Sequence, residues 1–154
     1  MCACNKNDSY VKDNFEKYNK DNDVKVNISD SSIFINSKSS DIKNLFKNGN
    51  GVIFIGDFKS NVSRSALNIL LNVVDNTDIS NVYFSEDLSV IKDYIDEDVG
   101  KPLIIFVVEG KVDSYHVGTI DNKDVLSSDE EEELYNIYLD GIHKVLNDVC
   151  DERC

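Results

Sequence analysis

The residues of this chain that could attack, ligate or be oxidised are few and widely spaced. Four cysteines sit at the two ends, Cys2 and Cys4, Cys150 and Cys154. Cys150 and Cys154 are spaced i, i+4, which puts both thiols on one face of a helix. A thiolate there would lie at a helix C-terminus beside Asp148, Asp151 and Glu152, where dipole and carboxylates both disfavour it. Arg153 offsets this only in part. Three uses stay open for the pair: incidental end thiols, a reversible disulfide if the last turn frays, or a tetrahedral zinc site shared with Cys2 and Cys4. Cys-x-Cys with Cys-x-x-x-Cys is not the usual zinc-knuckle spacing, so no metal and no other cofactor is assigned.

His116 and His143 are the only histidines, and neither falls in a metalloprotease or lipase motif. Both read as structural or surface residues. The acidic run Asp129–Glu133 looks like a cation site at first sight, but in the first turn of a helix it more simply complements the dipole. No glycine-rich phosphate loop follows any strand. Ser60 and Ser63 bracket a short polar stretch, Ser60-Asn61-Val62-Ser63, at the start of an apolar helical pattern. Ser60 or Asn61 there is a natural N-cap. The same two serines with the helix N–H groups would also make a polar notch open to an anion.

The 154 residues suit one domain, 1–154, with residues 1–8 as a flexible lead and a core over about 24–149. A net charge of −13 with two arginines, Arg64 and Arg153, excludes a protein that coats nucleic acid and opposes binding to anionic membranes. No apolar run spans a bilayer, and MCACNKND lacks the features of a signal peptide. The expected location is cytoplasmic. Met1-Cys2-Ala3-Cys4 would read as a lipoprotein anchor only if an apolar segment preceded it.

Helical spacing over Tyr10–Lys20 brings Val11, Phe15 and Tyr18 together. Val24, Val26 and Ile28 alternate, as do Ile33 and Ile35, predicting extended segments, one interrupted strand or a hairpin. Ser39 and Ser40 open a short helix with Ile42, Leu45 and Phe46, ended by Gly49 and Gly51. Val52–Ile55 is a continuous apolar run, the pattern of a strand buried on both faces. A helix follows with Val62, Ala66, Ile69, Leu70 and Val73, then a short strand at Val82–Phe84 and a helix with Leu88, Ile91, Tyr94 and Ile95. Leu103–Val108 is a second buried strand. Glu109-Gly110 turns it back into an antiparallel strand over Val112–Val117. Ser128-x-x-Glu131 reads as a capping box for a long last helix, with Leu134, Ile137, Tyr138, Gly141, Val145 and Val149 inward. Alternating strands and helices with a late hairpin predict an α/β fold with a central mixed sheet flanked by helices, plus an extra N-terminal helix.

Three segments carry a family resemblance: GVIFIGDFKSNVSRSALNILL at 51–71, GKPLIIFVVEGKVDSYHVGT at 100–119, and LYNIYLDGIHKVLNDVCDERC at 134–154. In that order they resemble thioredoxin-like proteins, including the small bacterial ones called bacteriocin transport accessory proteins. The resemblance implies a thioredoxin-like fold, a Cys-x-x-Cys at the positions of Ser60 and Ser63, and a cis proline at Pro102 facing that motif. Serine forms no disulfide, and thiol–disulfide exchange needs a thiolate attacking a sulfur. Family-type redox work at Ser60 and Ser63 is therefore excluded. The strand Val52–Ile55 also lacks the carboxylate that would relay protons. Replacement of two cysteines and natural divergence both account for the serines. The departure of Asp57-Phe58-Lys59 from the family's aromatic and proline residues favours divergence.

The expected function is a non-catalytic module that binds a peptide or protein partner in a groove at Phe58, Ser60, Ser63, Lys101 and Pro102. The alternative is a thiol–disulfide redox protein, acting through Cys150 and Cys154 or as a Cys-to-Ser form of an active enzyme in cell redox homeostasis.

Overall fold

A computed structural model describes residues 8–147. Cys2, Cys4, Cys150, Cys154 and Val149 lie outside the described residues.

Five strands form one mixed sheet in the order β1-β3-β2-β4-β5. The strands are β1 Phe34–Asn36, β2 Gly51–Ile55, β3 Val82–Ser85, β4 Leu103–Val108 and β5 Lys111–Val117. β1, β3 and β2 run parallel. β4 runs antiparallel to β2, and β5 antiparallel to β4. Among the described residues the four α-helices are α1 Asp8–Lys17, α2 Ser39–Asn48, α3 Asn61–Asp75 and α4 Ser128–Leu146. The protein is an α/β fold, its sheet flanked by helices in an arrangement compatible with the thioredoxin-like fold.

The sheet divides the core in two because alternate residues of a strand face opposite ways. From β2, Val52 and Phe54 join the cluster under α1, α3 and α4, whereas Ile53 and Ile55 join the cluster under α2. All five β2 residues are buried. Burying a phenylalanine or valine side chain is worth about 1.5–3 kcal/mol, so this central strand anchors both layers. α4 comes very close to the sheet at Gly141. A Cβ there would lie 2.4 Å from the Phe106 ring, so only glycine fits.

Several local readings differ from the sequence pattern. No strand forms over 24–28. The backbone groups of that segment are taken by side chains instead of a ladder: Val24 N–H donates to Asn61, Val26 N–H to Asn19, and Ile28 N–H to Glu16 Oε2 at 2.9 Å. The carbonyls accept in the same way, Val24 O from Arg64, Val26 O from Asn19 and Ile28 O from Lys12. The alternation of Val26 and Ile28 into the core is real, but the backbone groups of Val24, Val26 and Ile28 take side-chain partners in place of a sheet ladder.

The helix read over 88–95 is only a 3₁₀ turn at Leu88–Ile91. Asp93, Asp96, Glu97 and Asp98 crowd its C-terminal side, where negative charge opposes the helix dipole. The cap of α4 falls one residue earlier than the pattern predicts. Ser127, in extended conformation, accepts from Glu130 N–H, and Glu130 reaches back to Ser127 N–H. Ser128 is already helical and leaves no room for a cap there. Ile142 joins Leu134, Tyr138, Gly141 and Val145 among the buried residues of α4, while Ile137 is only partly covered. The core also begins before residue 24, since Val11 and Phe15 of α1 are fully buried.

Candidate functional site

Ser60 is the N-cap of α3. Its extended backbone (φ −89°, ψ 123°) lets its Oγ accept Ser63 N–H at 3.1 Å. Ser63 lies beneath, 1% exposed. Its Oγ accepts Asp57 N–H at 3.1 Å, which ties the turn 57–60 to the helix start. The loop passes under Ser63 at Gly56, where a Cβ would lie 2.6 Å from the Phe54 ring and 3.1 Å from Ser63 Oγ. Both serines therefore spend their oxygens on backbone N–H groups. Phe54, fully buried on the α3 side of the sheet, provides neither a charge nor a proton at this end of β2.

The Lys101–Pro102 bond is cis. Ile55 pairs with Leu103, so Pro102 lies at the same end of the sheet as the 57–60 turn. Pro102 O accepts Gly118 N–H at 2.7 Å, which folds the end of β5 back onto it. Lys101 Nζ reaches across to Asp57 Oδ1 at 2.7 Å and to Glu86 O at 2.8 Å. Three loops, after β2, after β3 and before β4, are thus joined by one ammonium group. Burial and the nearby Asp57 carboxylate hold the Glu86 carboxyl above the usual range, and Lys101 offsets this only in part.

A groove of about 610 Å³ opens beside Ser60. Asp57, Phe58, Lys59, Ser60 and Glu86 form one wall, and Tyr10, Asn14 and Tyr18 of α1 and the turn after it form the other. Of the five residues predicted for a groove, Phe58 and Ser60 line it. Ser63 is buried behind Ser60, and Lys101 and Pro102 stand outside the lining. Phe58 is packed edge-on against Phe15 (centroids 4.7 Å) and Tyr10 (5.8 Å). Lys59 Nζ sits 4.9 Å above the Tyr18 ring.

Sequence spacing alone does not place the α1 wall of Tyr10, Asn14 and Tyr18. The Val11, Phe15 and Tyr18 pattern shows a helix with an apolar face, but not where that helix docks. Arg64 is the other omission. Its guanidinium is fully buried and donates to Val24 O at 2.6 Å, Phe58 O at 2.6 Å, Phe15 O at 2.9 Å and Asn19 Oδ1. It clasps α1, the 24–28 segment and the groove wall to α3. Burial lowers its pKa, and the ring of carbonyls compensates the charge. A lone arginine in an otherwise apolar helical run is the available sequence signal for such a clasp.

His116 on β5 is half-buried against Tyr138 of α4, ring centroids 6.2 Å apart. Desolvation depresses its pKa, opposed by a backbone hydrogen bond at Gly118 and by Glu133. His143 lies in the last turn of α4. Among the described residues no group of three or more His, Cys, Asp or Glu is placed to hold a metal, and no helix is long and apolar enough to cross a membrane. The four cysteines, and with them the disulfide and zinc readings, lie outside the described residues. No protein-family model matches the chain, and no curated protein sequence matches it.

Proposed function

We propose that this protein is a thioredoxin-like domain whose dithiol positions are Ser60 and Ser63, and that it serves as a non-catalytic module binding an extended peptide or an unfolded protein segment. The observation that supports this most directly is the open groove of about 610 Å³ against Ser60, with Tyr10 and Tyr18 on one wall and the largely buried Phe58 on the other. Aromatic rings present large rigid contact area with polar tips, which suits a groove that takes varied side chains. The serines support the absence of catalysis, since their hydroxyls cap backbone N–H groups and lack a sulfur to exchange.

Amide NMR shifts of the full chain titrated with reduced, alkylated insulin B chain test the reading. Saturable shifts at Tyr10, Phe58, Lys59 and Ser60, weakened by Tyr10→Asp, are expected; their absence overturns it. The double variant S60C/S63C tests the scaffold separately. It is expected to form an internal disulfide, read as two thiols lost to alkylation, yet to reduce insulin poorly because Phe54 occupies the strand beneath.

A further inference from the structure

Buried polar side-chain atoms are nearly always hydrogen-bonded, so an exception needs a physical reason. Among the described residues two buried side-chain atoms are without a hydrogen-bond partner, His116 Nδ1 and Tyr138 Oη. They belong to one seam, His116 on β5 and Tyr138 on α4, with ring centroids 6.2 Å apart and ring planes at 77°. Tyr138 is fully buried, and burial pushes its hydroxyl far above the ordinary range, so the proton stays on it. The Nδ1 of a neutral imidazole accepts a hydrogen bond when the ring proton is on Nε2. An unused donor and an unused acceptor therefore share the seam.

The surroundings favour a neutral ring. Ile104 of β4 pairs with His116 and brings no charge. On β5 itself, Asp113 pairs with Lys144 of α4 at 3.6 Å. In the turn after β5, Lys123 is held by Glu130 of α4, and Asp121 acts on Lys123. On α4, the Tyr135 hydroxyl accepts from Asn76, and Asp140 and His143 lie further along the helix. Burial opposes a charge on the imidazole more strongly than Gly118 and the Glu133 carboxylate favour one. His116 also stands two residues before Gly118, whose N–H donates to Pro102 O at 2.7 Å. The seam thus borders the contact that ties the end of β5 to the cis proline.

We infer that His116 and Tyr138 form a pH-sensitive latch between β5 and α4: Tyr138 O–H donates to Nδ1 of the neutral imidazole, and protonation of the ring breaks this bond and loosens the end of β5 that carries the Gly118–Pro102 contact. Protonation puts N–H groups on both ring nitrogens. Nδ1 then accepts nothing, and the buried hydroxyl proton is left without an acceptor beside a desolvated charge. Both penalties fall on the closed seam, because an open one exposes both groups to water. The open seam takes up the proton near the ordinary value of about 6.5, the closed one only at lower pH, so falling pH favours opening. The latch does not depend on the groove at Ser60 binding a peptide.

Imidazole nitrogen NMR and amide exchange on the full chain test the latch. The neutral His116 ring is expected to carry its proton on Nε2. Gly118 amide exchange, corrected for its intrinsic pH dependence, is expected to speed up about tenfold between about pH 7.5 and pH 5, with β2 still protected. Tyr138→Phe removes only the hydroxyl, and is expected to move the His116 titration up towards its ordinary value and to mix the two ring tautomers. His116→Gln keeps an acceptor for the hydroxyl but does not titrate, so Gly118 is expected to be as protected at pH 5 as at pH 7.5. His116→Phe has no acceptor, and Gly118 exchange is expected to be fast at both. A neutral ring with its proton on Nδ1, a His116 titration unmoved by Tyr138→Phe, or Gly118 protection that does not follow His116 overturns the inference.

Discussion

Ser60 carries out at the start of α3 the task serine performs at helix starts generally, accepting an otherwise unpaired N–H of the first turn. Ser60→Ala is expected to cost about 1 kcal/mol in urea unfolding, whereas Ser60→Asp, which keeps an acceptor and favours the helix dipole, should cost less. A loss of under a few tenths would show that the cap contributes nothing. His116 sets a pH dependence whose sign follows from its depressed pKa. The unfolded chain takes up the proton near the ordinary value of about 6.5, the folded chain only at lower pH. As pH falls from about 6.5 through the folded value, the unfolded state binds more protons and stability drops. His116→Gln is expected to flatten that part of the stability-versus-pH curve, measured by urea midpoints between about pH 5 and pH 7.5.

At the scale of elements, the attachment of α1 decides whether there is a groove at all. Val11 and Phe15 bury its inner face, and Arg64 fastens its end by donating to Phe15 O while also holding Val24 O and Phe58 O. Arg64→Met fills similar volume but leaves those carbonyls without their donor. Each buried group left unpaired costs about 1–3 kcal/mol, set against relief from burying a charge. A net loss of about 2–4 kcal/mol is therefore expected. Hydrogen exchange should rise first in α1 and the 24–28 segment, with β2 and β4 still protected. Uniform loss of protection across the sheet would mean that Arg64 holds the whole fold rather than this attachment.

Over the whole molecule, the net charge of −13 repels itself in the compact state. Raising salt from about 0.01 M to about 0.15 M shortens the screening length from about 30 Å to about 8 Å. The melting temperature is therefore expected to rise with sodium chloride over that range. A fall would mean that specific ion pairs such as Lys101–Asp57 and Lys12–Glu16 outweigh the general repulsion. The same charge favours basic over acidic partners.

Much of this architecture is legible in the chain itself. The apolar run of β2, the paired run of β4, the Glu109-Gly110 turn and the amphipathic face of α4 each depend on local spacing, and spacing is a property of sequence. The serines at 60 and 63 settle by composition alone that no disulfide forms there. What spacing does not carry is the choice of partner. Val26 and Ile28 alternate as a strand does, yet their backbone bonds go to Asn19, Glu16 and Lys12, because α1 and the turn after it pack along that edge of the core. The groove wall made by Tyr10, Asn14 and Tyr18, the carbonyl cage around Arg64, and the meeting of Asp57, Glu86 and Lys101 all join residues distant in the chain. They exist only once the sheet has brought its loops to one end, since side-chain hydrogen bonds and desolvation depend on neighbours in space, not along the chain.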